Sequence, residues 1–225
     1  MAPRDALHRL GALSPRGALR VGVLASGEGT NLQALLDRIH GRHGVELVAL
    51  ASNRPDARAL ERGRAAGLAS AVFERGSYAD RRARDLAIAS WLAGHGVGLV
   101  VLAGYMQLLA PEFLERFPRA VINVHPALLP AFPGLHAVKQ ALAYGVKVFG
   151  VTVHFVDAGV DTGPVILQRA VELPDARSEQ EVMAALRPIE HELLCEAVRL
   201  FAAGALAFDP ANPRRVLTGP PAAGG

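Results

Sequence analysis

Leu19-Arg20-Val21-Gly22-Val23-Leu24-Ala25-Ser26-Gly27-Glu28-Gly29-Thr30-Asn31 opens apolar, breaks at a glycine-bearing loop and turns polar. Leu19–Ala25 is short, apolar and closed off by Ser and Gly, as a buried strand is. From Asn31 onward, Leu32, Leu35, Leu36 and Ile39 recur at helical spacing and place a helix over Asn31–His40. A strand that turns tightly into a helix is the repeating unit of an α/β sheet.

The same alternation continues outward. Val45–Ser52 reads as a second strand, Pro55–Ala66 as a helix with Pro near its start, Ala71–Phe73 as a short strand and Tyr78–Ala93 as a helix. Leu99–Leu102 is a buried strand ending at Ala103-Gly104, Pro111–Phe117 a short helix, and Ala120–Val124 another buried strand. After a helix over Ala137–Tyr144, the segment Val146–Val156 alternates around Val151, Val153 and Phe155 as a strand with one wet face does. Pro164–Val171 suits the second arm of an antiparallel pair, and Ser178-Glu179-Gln180-Glu181 is a capping box opening a helix to about Ala203. The pattern predicts an α/β chain: a single-domain, mostly parallel, Rossmann-like sheet flanked by helices, with a C-terminal antiparallel strand pair and a closing helix. The domain spans 19–210, between an extension at 1–18 and a Pro/Gly/Ala-rich tail at 211–225, both expected to be disordered.

Composition narrows the class of molecule. With 225 residues, 51% hydrophobic and 20% charged, the chain has the make-up of a globular protein with a substantial core. Its one cysteine, Cys195, excludes an internal disulfide framework and sits in an apolar helical run, where a buried structural thiol outweighs a nucleophile. The net charge of +3 comes from scattered arginines, with one local group at Arg81, Arg82 and Arg84. That distribution gives no nucleic-acid footprint and suits small anionic substrates. No stretch is long and apolar enough for a membrane span, and 1–18 lacks the apolar core of a signal peptide, so the chain reads as cytoplasmic. A monomer and a homodimer are both compatible with these features.

Two places carry chemistry. In Gly27-Glu28-Gly29-Thr30-Asn31 the third glycine of a dinucleotide fingerprint is replaced by Leu32, and Ser52-Asn53-Arg54 lacks the acid that holds a ribose diol. No Gly-Lys-Ser/Thr follows, which removes the P-loop. What remains is a helix N-terminus with free N–H groups, a hydroxyl and an amide, which suits one phosphate. A plain tight turn with an Asn cap fits the loop equally well.

The second place is Asn123-Val124-His125-Pro126, where prolines at 126 and 130 stop a strand. Asn123 and His125 project from one face at the end where α/β sheets bind ligands. Such a pair can stabilise an oxyanion and move a proton, although a lone strand-end His is as often structural. Asp157 and Asp161 flank a glycine-bearing loop that reads as a turn, yet Asp161, brought to His125, would favour the imidazolium. His125, His136 and His154 match no compact metal-ligand spacing, and no metal is expected.

Several segments together resemble the phosphoribosylglycinamide formyltransferases, folate-dependent enzymes of purine synthesis. They are Val23–Ala34, Ser52-Asn53, Val101–Met106, Ile122–Pro130, Phe132–His136, Gly150–Val156 and Asp161–Gln168, in order from about Leu19 to about Phe208. The resemblance implies transfer of a formyl group from 10-formyltetrahydrofolate to the amine of phosphoribosylglycinamide, without metal. It implies Asn123, His125 and Asp161 as the catalytic set, and Gly29, Thr30, Asn31 and Glu190 as contacts of the ribonucleotide. Arg81, Met106, Gln107, Leu108, Leu109 and Asn123 would meet the folate, with the Asp157–Asp161 loop against the pterin. Arg81 fits a solvated helix face equally well. Gln107 stands where the family commonly has Arg, and Ala131 where it has a polar or basic residue. A formyltetrahydrofolate hydrolase and a non-catalytic folate- or nucleotide-binding module are the alternative readings. Methionyl-tRNA formyltransferase is disfavoured, because only a short segment follows Phe208.

Overall fold

The computed structural model describes residues 17–219, so the expected extension is described only at Gly17 and Ala18. Nine strands form a sheet in the order β3-β2-β1-β4-β5-β6-β7-β9-β8. They are β1 (Leu19–Leu24), β2 (Val45–Ser52), β3 (Ala69–Val72), β4 (Leu99–Leu102), β5 (Val121–His125), β6 (Val148–Phe155), β7 (Val165–Glu172), β8 (Leu206–Asp209) and β9 (Asn212–Thr218). The helices are α1 (Thr30–Arg38), α2 (Arg58–Ala65), α3 (Arg81–Gly94), α4 (Pro111–Arg116), α5 (Ala137–Tyr144) and α6 (Glu179–Ala202).

β1 lies between β2 and β4, and the five strands from β3 to β5 are all parallel. Its residues Val21, Val23 and Leu24 are wholly buried, because helices cover both faces of a parallel sheet. One core packs α1 and α6 residues such as Leu32, Leu35 and Leu194 against Val21 and Val23. The other packs Ile88, Leu92 and Phe113 from α3 and α4 against Leu24 and Val100. The chain runs to β2 and β3 on one side of β1 and to β4 and β5 on the other. The loops leaving β1 and β4 therefore part in opposite directions and open a crevice at the strands' carboxyl ends.

β6 and β7 run antiparallel beside β5, as the alternation predicted. Half of the capping box forms: Ser178 Oγ accepts from Glu181 N–H at 3.2 Å, while Glu181 Oε2 accepts from the N–H of Arg177, one residue before the N-cap, at 3.0 Å. Pro55 precedes α2 rather than opening it, and α3 begins later than Tyr78, after Asp80 accepts from Ala83 N–H at 2.7 Å.

The tail at 211–225 needs correction. Asn212–Thr218 is a strand, paired antiparallel with β8 through Ala207 and Leu217 and joined to β7 at Val165 and Arg215. Leu206, Phe208 and Val216 supply the apolar contacts, with the Phe208 ring tilted against that of Phe155 at 5.2 Å between centroids. The sheet is accordingly mixed beyond β5. Among the described residues no helix is long and apolar enough to cross a membrane.

Gly150 sits within β6, where an added Cβ would collide with the Leu128 side chain and the Arg169 carbonyl oxygen. Overpacking of this kind costs about 1–3 kcal/mol. Gly150→Ala is expected to melt about 2–12 °C below the parent by calorimetry. An unchanged melting temperature would show that the β6–β7 pair opens freely at this point.

Candidate active site

Asn123 and His125 occupy the last turns of the β5 pleat and face the same side, opposite His154 and Thr152 of β6. His125 belongs to the strand instead of following it, and is buried. His125 Nε2 lies 2.8 Å from the Phe132 carbonyl oxygen, and Nδ1 lies 3.4 Å from Asp161 Oδ2. Both neighbours are acceptors only, so each ring nitrogen faces an oxygen that an N–H would satisfy.

Asp161 reaches this position from the far end of β6. Its own φ is +52°, and at Gly163 any Cβ would overlap the Phe155 carbonyl, so the loop folds back tightly on the strand it has left. Asp157 braces the turn by accepting from Gly159 N–H at 3.1 Å and Thr162 Oγ1 at 2.5 Å. Arg214 of β9 donates to the Thr162 carbonyl at 2.6 Å.

Asp161 Oδ2 also accepts from Gly134 N–H at 2.8 Å, and Oδ1 accepts from Asn123 Nδ2 at 3.3 Å and lies 3.6 Å from His154 Nε2. Burial alone would raise its pKa. The hydrogen bonds from His154 and Gly134, with the nearby charges of His125 and His154, outweigh burial and hold the carboxyl at about 2.

The structure thus brings together the whole expected catalytic set and adds His154. That ring is 2% exposed, bonds Phe155 O through Nδ1 at 2.8 Å and meets Asn123 Nδ2 at 3.3 Å. The sequence alone offers His154 only as a metal ligand. Its role follows from the β5–β6 register, which spacing does not reveal. His136, the third histidine of that group, is exposed at the start of α5. Among the described residues no cluster of three or more His, Cys, Asp or Glu is arranged to hold a metal ion.

Thr152 also escaped notice. Its hydroxyl donates to Ala127 O at 2.7 Å and accepts from Leu129 N–H at 3.1 Å and Gln168 Nε2 at 2.9 Å. It therefore secures the loop after β5 that delivers Phe132 O and Gly134 N–H.

The glycine loop after β1 rests against α2. Gly29 has φ +73° and an added Cβ would lie 2.8 Å from Ala59 Cα, so only glycine fits. Gly29 is the N-cap of α1, with no side-chain cap bond. The reading of a turn capped by Asn therefore fails. Thr30 and Asn31 open the helix, and Asn31 Oδ1 is buried without a partner. Free N–H groups at this end remain available to an anion. Ser26 joins the neighbouring strand ends, donating to Asn53 Oδ1 at 2.6 Å and accepting from Met106 N–H at 3.2 Å.

Glu190 lies on α6, which packs against α1, and the residue is 6% exposed. Burial pushes it up to about 7, against a smaller opposing effect of Arg187. Cys195, one turn further on, donates to Ala34 O at 3.5 Å, and burial pushes its thiol up to about 11. It is a packing residue.

A cavity of about 770 Å³ opens between the start of α3 and the segment after β4, lined among others by Arg75, Arg81, Arg84, Met106, Gln107 and Leu108. Arg81 is among the lining residues and is also exposed, as a residue on a solvated helix face is. Leu109 does not line it; the side chain is buried with Phe113 and Leu102 in the core. Ala131 is exposed.

Residues 19–198 match the family model described as formyl transferase. The chain belongs to the formyl transferase family. This formyl transferase is 44% identical over 188 residues to the phosphoribosylglycinamide formyltransferase of Mycobacterium tuberculosis (strain CDC 1551 / Oshkosh), covering 84% of this chain and 87% of that one. It is 40% identical over 171 residues to the enzyme of the same name from Bacillus subtilis (strain 168), covering 76% and 88%. The crystal structure of glycinamide ribonucleotide transformylase 1 from Symbiobacterium toebii superposes with a TM-score of 0.86 at 45% identity, covering 94% and 99%.

Glu190 gives a signed prediction. A carboxyl with a folded pKa above its unfolded value binds more protons when folded, so stability falls as pH rises from about 4.3 to about 7. Glu190→Gln removes that cost, and the variant is expected to melt higher than the parent at pH 8 while matching it near pH 4. Equal melting curves at pH 8 would contradict the raised pKa.

Proposed function

We propose that this formyl transferase carries the formyl group of 10-formyltetrahydrofolate to the amine of phosphoribosylglycinamide, with Asn123, His125 and Asp161 at the reacting atoms. The observation that carries the reading is the Asp161 carboxylate 3.4 Å from His125 Nδ1 beside the Asn123 amide. The Gly29–Asn31 helix start suits the ribonucleotide's phosphate, and the arginine-bearing cavity suits a folate with its carboxylates.

The amine lone pair attacks the formyl carbon, and the carbonyl π electrons move to oxygen. Imidazolium at His125 and an N–H of Asn123 stabilise that oxyanion. The contact that Asn123 Nδ2 makes to Asp161 Oδ1 is long, 3.3 Å, so that proton passes readily to a stronger acceptor. Asp161 keeps the ring charged and oriented. When the intermediate collapses, the carbon–nitrogen bond to folate breaks. His125 protonates the departing nitrogen and is recharged by the proton released from the attacking amine, so no net proton is exchanged. Glu190 meets the glycinamide portion. No covalent enzyme intermediate is needed.

The test is deformylation of a 10-formyl folate analogue, followed by absorbance with and without phosphoribosylglycinamide. Turnover is expected only with the ribonucleotide present; turnover without it would favour the hydrolase. His125→Ala and Asp161→Ala are each expected to lower kcat at least about a hundredfold. Losses below about tenfold in both would refute the assigned roles. Thr30→Val is expected to raise KM for the ribonucleotide and leave that for the folate nearly unchanged.

A further inference from the structure

In the wall of the cavity, almost closed off from solvent, lies a pair of charges that the formyl transfer itself does not use. Arg84 and Asp85, consecutive on α3, have side chains 1% and 0% exposed. Charged groups so deep persist only when paired. Arg84 Nε and Nη2 both donate to Asp85 Oδ1, at 3.0 and 2.9 Å. The other carboxylate oxygen accepts from Ala110 N–H at 2.8 Å. The remaining guanidinium nitrogen, Arg84 Nη1, lies 3.5 Å from Gln107 Oε1. One buried pair thus touches the segment after β4 at two points, residues 107 and 110.

Gln107 is the point that matters for binding. Its Nε2 donates to Met106 O at 2.9 Å, which uses one of two amide protons. The side chain is half-buried and lines the cavity. An amide whose oxygen is drawn inward by a guanidinium turns its nitrogen the other way, towards the cavity.

We propose that Arg84 is a positioning residue: anchored by Asp85, it orients the Gln107 amide so that an N–H donor faces an acceptor group of the formyl-bearing folate. This rests on the reading of the cavity as the folate site. A pair that served only as a core staple would affect melting but would show no specific dependence on Gln107.

Arg84→Lys retains a charge for Asp85 but lacks the nitrogen that meets Gln107, and Gln107→Ala removes the amide. Each is expected to raise the folate KM about tenfold and leave the ribonucleotide KM unmoved. The double variant is expected to be no worse than Gln107→Ala alone, since Arg84 then has nothing to act through. Gln107→Glu puts a carboxylate opposite Nη1, so its melting temperature holds or rises while its folate KM increases. Multiplying effects in the double variant, an Arg84→Lys folate KM within about twofold of the parent, or a lower melting temperature for Gln107→Glu would each overturn the proposal. If Arg84→Lys fails to fold, the two Gln107 variants decide: both expected shifts support it, and the absence of either overturns it. A parent inactive with formyl folate would refute the folate reading itself, whereas an active parent with insensitive variants refutes only the positioning role.

Discussion

A carboxylate at the end of an apolar sheet stays ionised only if donors replace the water it has lost. At Asp161 those donors come from three places: Asn123 and His125 on β5, His154 on β6, and Gly134 in the loop between β5 and α5. None of the three is useful without the others. The β5–β6 register must set Asn123 opposite His154, Gly163 must let the loop fold back onto Phe155, and Thr152 must hold the Ala127–Leu129 turn. Much of the odd local structure here, including the positive φ at Asp161, serves to bring one negative charge to one ring nitrogen.

The crevice on the other side of β4 depends on a different economy. Ser26 ties the ends of β1, β2 and β4 together through a single hydroxyl, joining the glycine loop to the segment at Met106. The glycine loop presents bare N–H groups and a partnerless Asn31 oxygen, while the Met106–Ala110 segment is held from below by ionised groups. The first place keeps polar groups without protein partners; the second has its buried charges paired, which fixes its shape.

Much of this was legible from residue order alone. Val45–Ser52, Leu99–Leu102 and Ala137–Tyr144 have the bounds that their apolar runs and flanking glycines imply. The strand-end pair Asn123 and His125 could be read from the prolines that follow. Relations across the sheet could not. His154 matters because of its cross-strand partner, Leu109 turns into the core although its neighbours face the cavity, and Arg84 looked like one surface arginine of three. β9 was hidden by its composition: Pro213, Arg214 and Arg215 read as a polar tail until β8 supplies a partner for Val216 and Leu217.

That last strand has a bearing on how the molecule comes into being. Arg214 holds the carbonyl of Thr162, the residue next to Asp161, from close to the end of the described chain. On the ribosome, β1 to β7 can pair with one another before β9 is made; only the β7 contact to β9 must wait. The tether on the acidic loop therefore forms later in synthesis than the pairing of β1 to β7 with one another. A nascent chain can assemble its crevices first and acquire this brace beside its charged centre once β9 has been made.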